Sequence, residues 1–437
     1  MTDLATRVAP ARAPLARRAA PALLGYAAVR ALGLVVLAVW SAARGKSGYT
    51  LLTARWDALW YTRVAHLGYG YEVRLPNGDL HSNLAFFPLL PWLERLLHAC
   101  APLSYADAGF VVSLLASLAA AGGIFAVAER VYGARAGLYG VLLWAVLPVG
   151  IVQSMAYSES LFTALAAWSL YAVLTGRWVA AGTLAALAGL TRPVGLAVVA
   201  AVWAAGLVSF VRDRSARSAH GARDDERAPS LTSGARARRA QSTNSAYTTA
   251  RALPFASHAS GAPAAPDLPG APALLRALGL LIAPLGTAGY VLWVGHRTGK
   301  GLFGYLDVQA GWRNGFDGGY AFARFAVGKL TSFPSALVGL GLIVGVALLV
   351  RLYLAGVRQR QPLPLLVYTG VVLALALCAS SYFGSKPRLL MPAFPLLLPL
   401  ARALARTRRS RSVLIVASAA VASAVYGAFW LNGSGPP

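Results

Sequence analysis

The sequence predicts an all-α, polytopic membrane protein with about eleven transmembrane helices. Three observations carry this. Hydrophobic residues make up 57% of the chain and charged residues only 13%. Apolar stretches close to the roughly 20 residues that cross a bilayer recur along its length. Arg and Lys gather between those stretches, where they orient helices in a membrane, so the net charge of +25 is read as topology rather than as binding to nucleic acid. The two cysteines, Cys100 and Cys378, are too far apart in the chain to outline a disulfide framework or a metal knuckle.

In chain order, residues 1–21 form a basic flank carrying Arg12, Arg17 and Arg18. The apolar run 22–43 is longer than a signal-peptide core of roughly 7 to 15 residues, so it is read as an uncleaved first span with its N-terminus in the cytoplasm. Further spans are expected near 108–128, 136–153, 157–175, 178–191, 194–211, 274–295, 333–352, 363–383, 388–404 and 412–431. A single helix over 178–211 would be about 50 Å long, well over the bilayer's apolar thickness. Proline disfavours helix at the preceding residue, so Thr191-Arg192-Pro193 is read as a break that leaves Arg192 at a turn near the outer surface.

The spans divide into an N-terminal membrane region, 22–211, and a C-terminal one, 273–431, followed by a tail, 432–437. Between them, 212–272 is rich in Ser, Ala, Arg and Pro and poor in large apolar side chains, so it is expected to be a disordered cytoplasmic insert. The charge rule places loops 44–107 and 296–332 on the outer face. In the first, helical spacing puts Trp56, Leu59, Trp60, Val64 and Leu67 on one side of an interfacial helix; the proline-interrupted stretch 84–99 is read as a second interfacial or re-entrant helix.

Asp57 is the primary candidate for chemistry. A carboxylate set among Trp56, Trp60 and Tyr61 at a bilayer surface is costly to keep there unless it functions; the plainer alternative is an interfacial salt bridge to Arg55 or Arg63. Glu159 opens a span at its outer end, where it either complements the helix dipole or joins a site. Arg192, Lys386 and Arg388 are candidates for holding phosphate, with lipid-headgroup anchoring as the alternative. Asp307, Gln309, Trp312, Arg313 and Asp317 have the polar and aromatic mix of a sugar-binding loop. The histidines show no metal-ligand spacing and the outer loops no D-x-D pair, so neither a metal nor a cofactor is expected.

Arg55-Trp56-Asp57 with Tyr61, Gly68-Tyr69 and Ala85-Phe86-Phe87-Pro88-Leu89-Leu90-Pro91 resembles the opening signature of the PIG-V mannosyltransferases and their bacterial relatives. Ser158-Glu159-Ser160-Leu161-Phe162, Thr191-Arg192-Pro193 with Gly195, and Arg388-Leu389-Leu390-Met391-Pro392-Ala393-Phe394-Pro395 extend the resemblance over most of the chain except 212–272 and the two ends. It implies a GT-C membrane glycosyltransferase of the cell membrane with its active site on the outer face. It further implies transfer of a hexose, mannose, from a polyprenyl-phosphate sugar to a lipid-linked or cell-envelope glycan, with Asp57 in the catalytic position.

The chemistry is consistent with this. An acceptor hydroxyl needs a base, whereas a phosphate leaving group needs cations more than a general acid, so one carboxylate plus arginines suffices and direct displacement inverts the anomeric carbon. Arg55, Trp56, Trp60, Tyr61, Glu159, Arg192, Gln309, Trp312, Lys386 and Arg388 are the expected substrate-binding residues. A transporter or lipid flippase is the rival reading, since Glu159 and Arg192 near membrane level would suit a substrate path. Protein mannose transfer or aminoarabinose transfer is the alternative within the enzyme class.

Overall fold

The computed structural model describes residues 13–227, 273–380 and 382–433. Their architecture is helical, with two short antiparallel strand pairs. The N-terminal half runs α1 (Leu15–Ala43), α2 (Gly48–Thr53), α3 (Asp57–Leu67), the hairpin β1 (Glu72–Arg74) and β2 (Leu80–Ser82), α4 (Leu89–Cys100), α5 (Tyr105–Tyr132), α6 (Ala134–Ala145), α7 (Ser158–Leu174), α8 (Trp178–Gly189) and α9 (Leu196–Arg227). The C-terminal half runs α10 (Ala273–Ile282), α11 (Leu285–Thr298), α12 (Gly304–Gly311), β3 (Gly315–Phe316), α13 (Tyr320–Lys329), α14 (Ser335–Arg358), α15 (Leu363–Cys378), β4 (Ala379–Ser380), α16 (Lys386–Leu390), α17 (Leu398–Arg406) and α18 (Arg409–Leu431).

Every expected span falls on helix, but length reduces their number. Six helices, Leu15–Ala43, Tyr105–Tyr132, Pro193–Arg214, Ala273–Thr298, Ser335–Arg358 and Arg409–Leu431, are long and apolar enough to cross a membrane. A seventh crossing arises if Phe383–Leu390 and Phe394–Arg406, bent by 73° at their junction, count as one. Ser158–Leu174, Trp178–Gly189 and Leu363–Cys378 are shorter apolar helices, and the stretch expected as a span at 136–153 is α6 followed by a 3-10 turn, Gly150–Ser154. Thus the eleven apolar segments include several whose helices are shorter than, or bent within, the length a crossing needs. At 383–406 the physical reason is Pro387, Pro392 and Pro395, each without a backbone N–H to continue a helix.

α5 is the central helix. A capping box starts it: Ser104 Oγ accepts from the Asp107 backbone N–H at 3.1 Å and the Asp107 carboxylate accepts from the Ser104 backbone N–H at 3.2 Å. Around it pack α1, α6 and α7, and buried Phe125, Trp144, Tyr157, Phe162, Trp178, Tyr368 and Phe394 fill one continuous core. α8 approaches α10 and α11 at backbone distance. A Cβ added at Gly182 would lie 2.2 Å from the Gly279 carbonyl oxygen, and one at Gly286 would lie 1.8 Å from that of Ala186.

Two expectations about connections change. The insert expected to be disordered from 212 begins as helix, because α9 continues to Arg227 through a run of Ala, Arg and acidic residues that meets no proline before Pro229; residues 228–272 lie outside the described residues. In loop 44–107 both expected helices form, as α3 and α4, with a hairpin between them. The expected apolar face of α3 is divided, however: Ala58, Tyr61, Val64 and Ala65 are buried while Leu59 and Leu67 are exposed. Tyr61 turns inward because Phe86 and Leu90 of the second part of the loop pack beside it.

Candidate active site

Asp57 is the first residue of α3, and the turn that delivers it is unusual. Trp56 has φ 49° and ψ −120°, a left-handed backbone conformation rare for a bulky side chain. The surrounding packing accounts for it: the Arg55 guanidinium lies 3.8 Å from the centroid of the Trp56 ring, and its Nη1 donates to the Leu431 carbonyl at the end of α18 at 3.2 Å. Arg55 thereby fastens the turn to α18 instead of facing Asp57's partners.

Glu159 is the second residue of α7, immediately after residues 149–157, which are buried throughout and include the 3-10 turn Gly150–Ser154. Buried carbonyls there need donors. Arg30, from the middle of α1, supplies the Ala145 and Gly150 carbonyls; Gln153 donates to Trp144 O at 2.7 Å, Ser423 to Leu147 O at 2.7 Å and Ser113 to Tyr157 O at 3.0 Å. This side-chain scaffold lets the chain break inside the buried core and start α7 with Ser158-Glu159 at the site. Arg192 sits in the α8–α9 break in extended conformation, φ −161°, ahead of the 3-10 turn Pro193–Gly195, as Pro193 requires. Arg388 lies on α16, whose bend is held by Trp144 donating to Met391 O at 3.1 Å and Tyr368 donating to Pro392 O at 2.9 Å.

These four elements bring four charges together. Arg388 Nη1 is 2.8 Å from Asp57 Oδ2 and Arg388 Nε is 3.2 Å from Glu159 Oε1; Arg192 Nη1 forms an ion pair with the same Glu159 oxygen. Arg192 Nη1 also reaches Ser158 Oγ at 3.4 Å, and Ser158 Oγ bonds the Tyr61 hydroxyl at 2.7 Å. Burial pushes the Tyr61 phenol up from its ordinary value, which keeps it a neutral hydroxyl in this chain of contacts. The Arg388 guanidinium lies 5.1 Å from the Tyr157 ring centroid. The two carboxylates differ in access: the side chain of Asp57 is 26% exposed and that of Glu159 only 1%.

Asp57, Tyr61, Glu159, Arg192 and Arg388, far apart in sequence, thus converge. The other expected substrate contacts are engaged elsewhere. Lys386 Nζ donates to Ala376 O at 2.7 Å and Ala379 O at 2.8 Å, closing the C-terminal end of α15. Trp60 stacks on Phe86, ring centroids 5.6 Å apart, and meets Trp312 edge-on at 5.0 Å; Trp312 also meets Phe86 edge-on at 5.4 Å, stacks on His81 at 3.9 Å and donates from Nε1 to Ser82 O at 3.0 Å. Gln309 donates to Tyr305 at 2.7 Å, accepts from Asn314 at 2.9 Å and reaches Ala85 O of the first loop at 3.5 Å. Trp60, Gln309 and Trp312 therefore join loops 44–107 and 296–332 to each other. Sequence reasoning missed Tyr157 and Ser158 as parts of the cluster, although both adjoin Glu159. An apolar groove of about 810 Å³, lined by Trp40, Val421, Val425, Tyr426 and Phe429 among others, contains none of these charged groups.

Residues 39–215 match the family model described as mannosyltransferase (PIG-V). No curated protein matches the chain. Among solved structures, ArnT from Cupriavidus metallidurans bound to undecaprenyl phosphate is 15% identical, with a TM-score of 0.49 over 90% of this chain and 62% of that one. The same protein in the apo state is 16% identical, with a TM-score of 0.47 over 82% of this chain and 57% of that one. The chain therefore spans less than two thirds of the length of these structures. The stretch that carries Asp57, Tyr61, Glu159 and Arg192 is the one that matches, and over residues 39–215 the chain is similar to the PIG-V mannosyltransferases.

Proposed function

We propose that this chain is an integral membrane glycosyltransferase of GT-C type that moves mannose from a polyprenyl-phosphate sugar to a lipid-linked or cell-envelope glycan acceptor. Asp57 takes the proton of the acceptor hydroxyl, the acceptor oxygen bonds the anomeric carbon, and the bond from that carbon to the phosphate oxygen breaks with its electron pair leaving on phosphate. Displacement from the opposite face inverts the anomeric carbon. Arg388 and Arg192 hold the phosphate, and no metal takes part.

The observation that carries this reading is the division of labour between the two carboxylates. Glu159, nearly inaccessible and flanked by both arginines, suits their counter-ion, while Asp57, more exposed, suits a base that an acceptor hydroxyl reaches. An outer-face site is supported by the arginines at the far ends of the helices packed around it. There Arg18 of α1 makes a two-point pair with Glu129 of α5, at 2.8 and 2.9 Å, and Arg135 donates to Thr407 O at 2.9 Å, in the arginine-rich connections that favour the cytoplasm.

The test is transfer of labelled mannose from polyprenyl-phosphate mannose into lipid by the protein reconstituted in vesicles. Asp57→Asn is expected to lower turnover by about a hundredfold or more at unchanged abundance, because an amide cannot take the proton. Retention of more than about a tenth of wild-type turnover removes Asp57 as the base. Movement of the lipid across the bilayer without sugar transfer overturns the enzyme reading.

A further inference from the structure

Arg388 is the partner of the proposed base and also a proposed ligand of the donor phosphate. Its Nε arm meets Glu159, which is almost completely buried and shared with Arg192; its Nη1 arm meets the more exposed Asp57. The guanidinium is flanked by the Tyr157 ring, at 5.1 Å, and the Tyr157 hydroxyl has no hydrogen-bond partner among the described residues, so the ring itself is the contact. One arm of Arg388 is thus anchored, and the other faces the group an incoming anion can replace. Phosphate competes well for such an arm, since guanidinium binds its oxygens through two parallel N–H donors.

We infer that Asp57 and the donor phosphate compete for Arg388, so that the ion pair masks the base and the anionic donor releases it. This rests on the reading of Asp57 as the base. The exchange breaks no covalent bond: the Nη1 arm passes from carboxylate to phosphate while Nε stays on Glu159. Two guanidinium groups balance two carboxylates in the cluster. A donor phosphodiester adds one negative charge, and Asp57 is then the carboxylate left to receive the acceptor's proton. Donor binding before acceptor activation follows, with Tyr157 as a positioning residue that keeps the guanidinium in place during the exchange.

The experiment labels carboxyl groups of the full-length protein, in phosphatidylcholine vesicles, with a membrane-permeant carbodiimide and reads modification at Asp57 by peptide mass spectrometry. Undecaprenyl phosphate should accelerate labelling by about fivefold or more, the lower end of ordinary coupling between two ligands, and uncharged polyprenol should not. Tyr157→Phe should keep the acceleration and Tyr157→Leu should reduce it. Labelling that undecaprenyl phosphate leaves unchanged or slows, or that polyprenol speeds equally, overturns the exchange.

A binding measurement checks it without a reagent. Asp57→Asn should tighten undecaprenyl phosphate binding by about fivefold or more, and the tightening should vanish in an Arg388→Gln background. If it persists there, simple charge repulsion is the cause and the exchange fails. An Asp57→Asn protein that still transfers sugar removes the base reading while leaving these two measurements standing. An inactive Asp57→Asn with donor-indifferent labelling removes only the exchange.

Discussion

Glu94 and Glu159 are both buried, but only Glu159 meets guanidinium groups. Both carboxyl oxygens of Glu94 lack a hydrogen-bond partner among the described residues, and a Cβ on Gly109 of α5 would lie 2.5 Å from its Oε1. Desolvation pushes the Glu94 carboxyl well above its usual range. A carboxyl raised in the folded protein contributes stability that is complete below its unfolded value near 4.5 and is lost as pH rises through the folded value. Glu94→Gln, which keeps the shape without the charge, should therefore remove a loss of stability of up to about 1.4 kcal/mol per pH unit within that window. Melting curves in detergent from pH 5 upward should fall less steeply for the variant than for the wild type; parallel curves would show that Glu94 ionises freely. Residue type marked the site candidates well, because an acid or arginine near an apolar span is conspicuous. It could not rank them: the same reasoning that picked Arg388 picked Lys386, whose amine instead closes the end of α15.

Among elements, the seam between α8 and α10–α11 positions Arg192. The backbone contact of Gly286 with Ala186 leaves no room for a side chain, and α8 ends at Gly189, just before Thr191-Arg192. Gly286→Val should destabilise the protein by about 1 to 3 kcal/mol, the usual range for overpacking, and lower transfer activity by displacing Arg192. Thermal unfolding together with turnover per folded molecule checks both effects, and a variant with wild-type melting and turnover would show that the helices separate without consequence. The break before Pro193 was legible because the chemistry of proline is local. The 73° bend between 383–390 and 394–406 was less so. The prolines were visible there, but the size of the bend rests on bonds from Trp144 and Tyr368 in other helices.

At the scale of the whole molecule, the described residues place the acid–arginine cluster at one end of the helices and the Arg18–Glu129 pair at the other. α9 ends at Arg227 and α10 begins at Ala273, and the sequence between them is poor in the apolar side chains that build a core. Replacing residues 228–268 with a short Gly/Ser linker should preserve transfer activity, because closing a loop costs entropy that changes slowly with length. Loss of transfer in a well-expressed, correctly inserted variant would assign the segment a docking or regulatory role.

The sequence by itself determined the helical membrane class, the two short helices of loop 44–107 and the identity of the charged residues next to the apolar segments. Each follows from composition or from periodicity over a few turns, where a side chain's free energy of transfer from water dominates. Tertiary structure alone decided how long each apolar helix runs, which of the candidate cations meets Asp57, and that Trp60, Gln309 and Trp312 tie loop to loop. Those outcomes depend on contacts between residues up to hundreds of positions apart. Asp57 and Arg388 meet because the backbone turn at Trp56, the broken stretch before α7 and the bend after α16 are each held by side chains of other helices. Local preference carries no record of such contacts, since the same Asp, Arg and Trp would satisfy a lipid headgroup, a salt bridge or a neighbouring ring equally well until packing removes all partners but one.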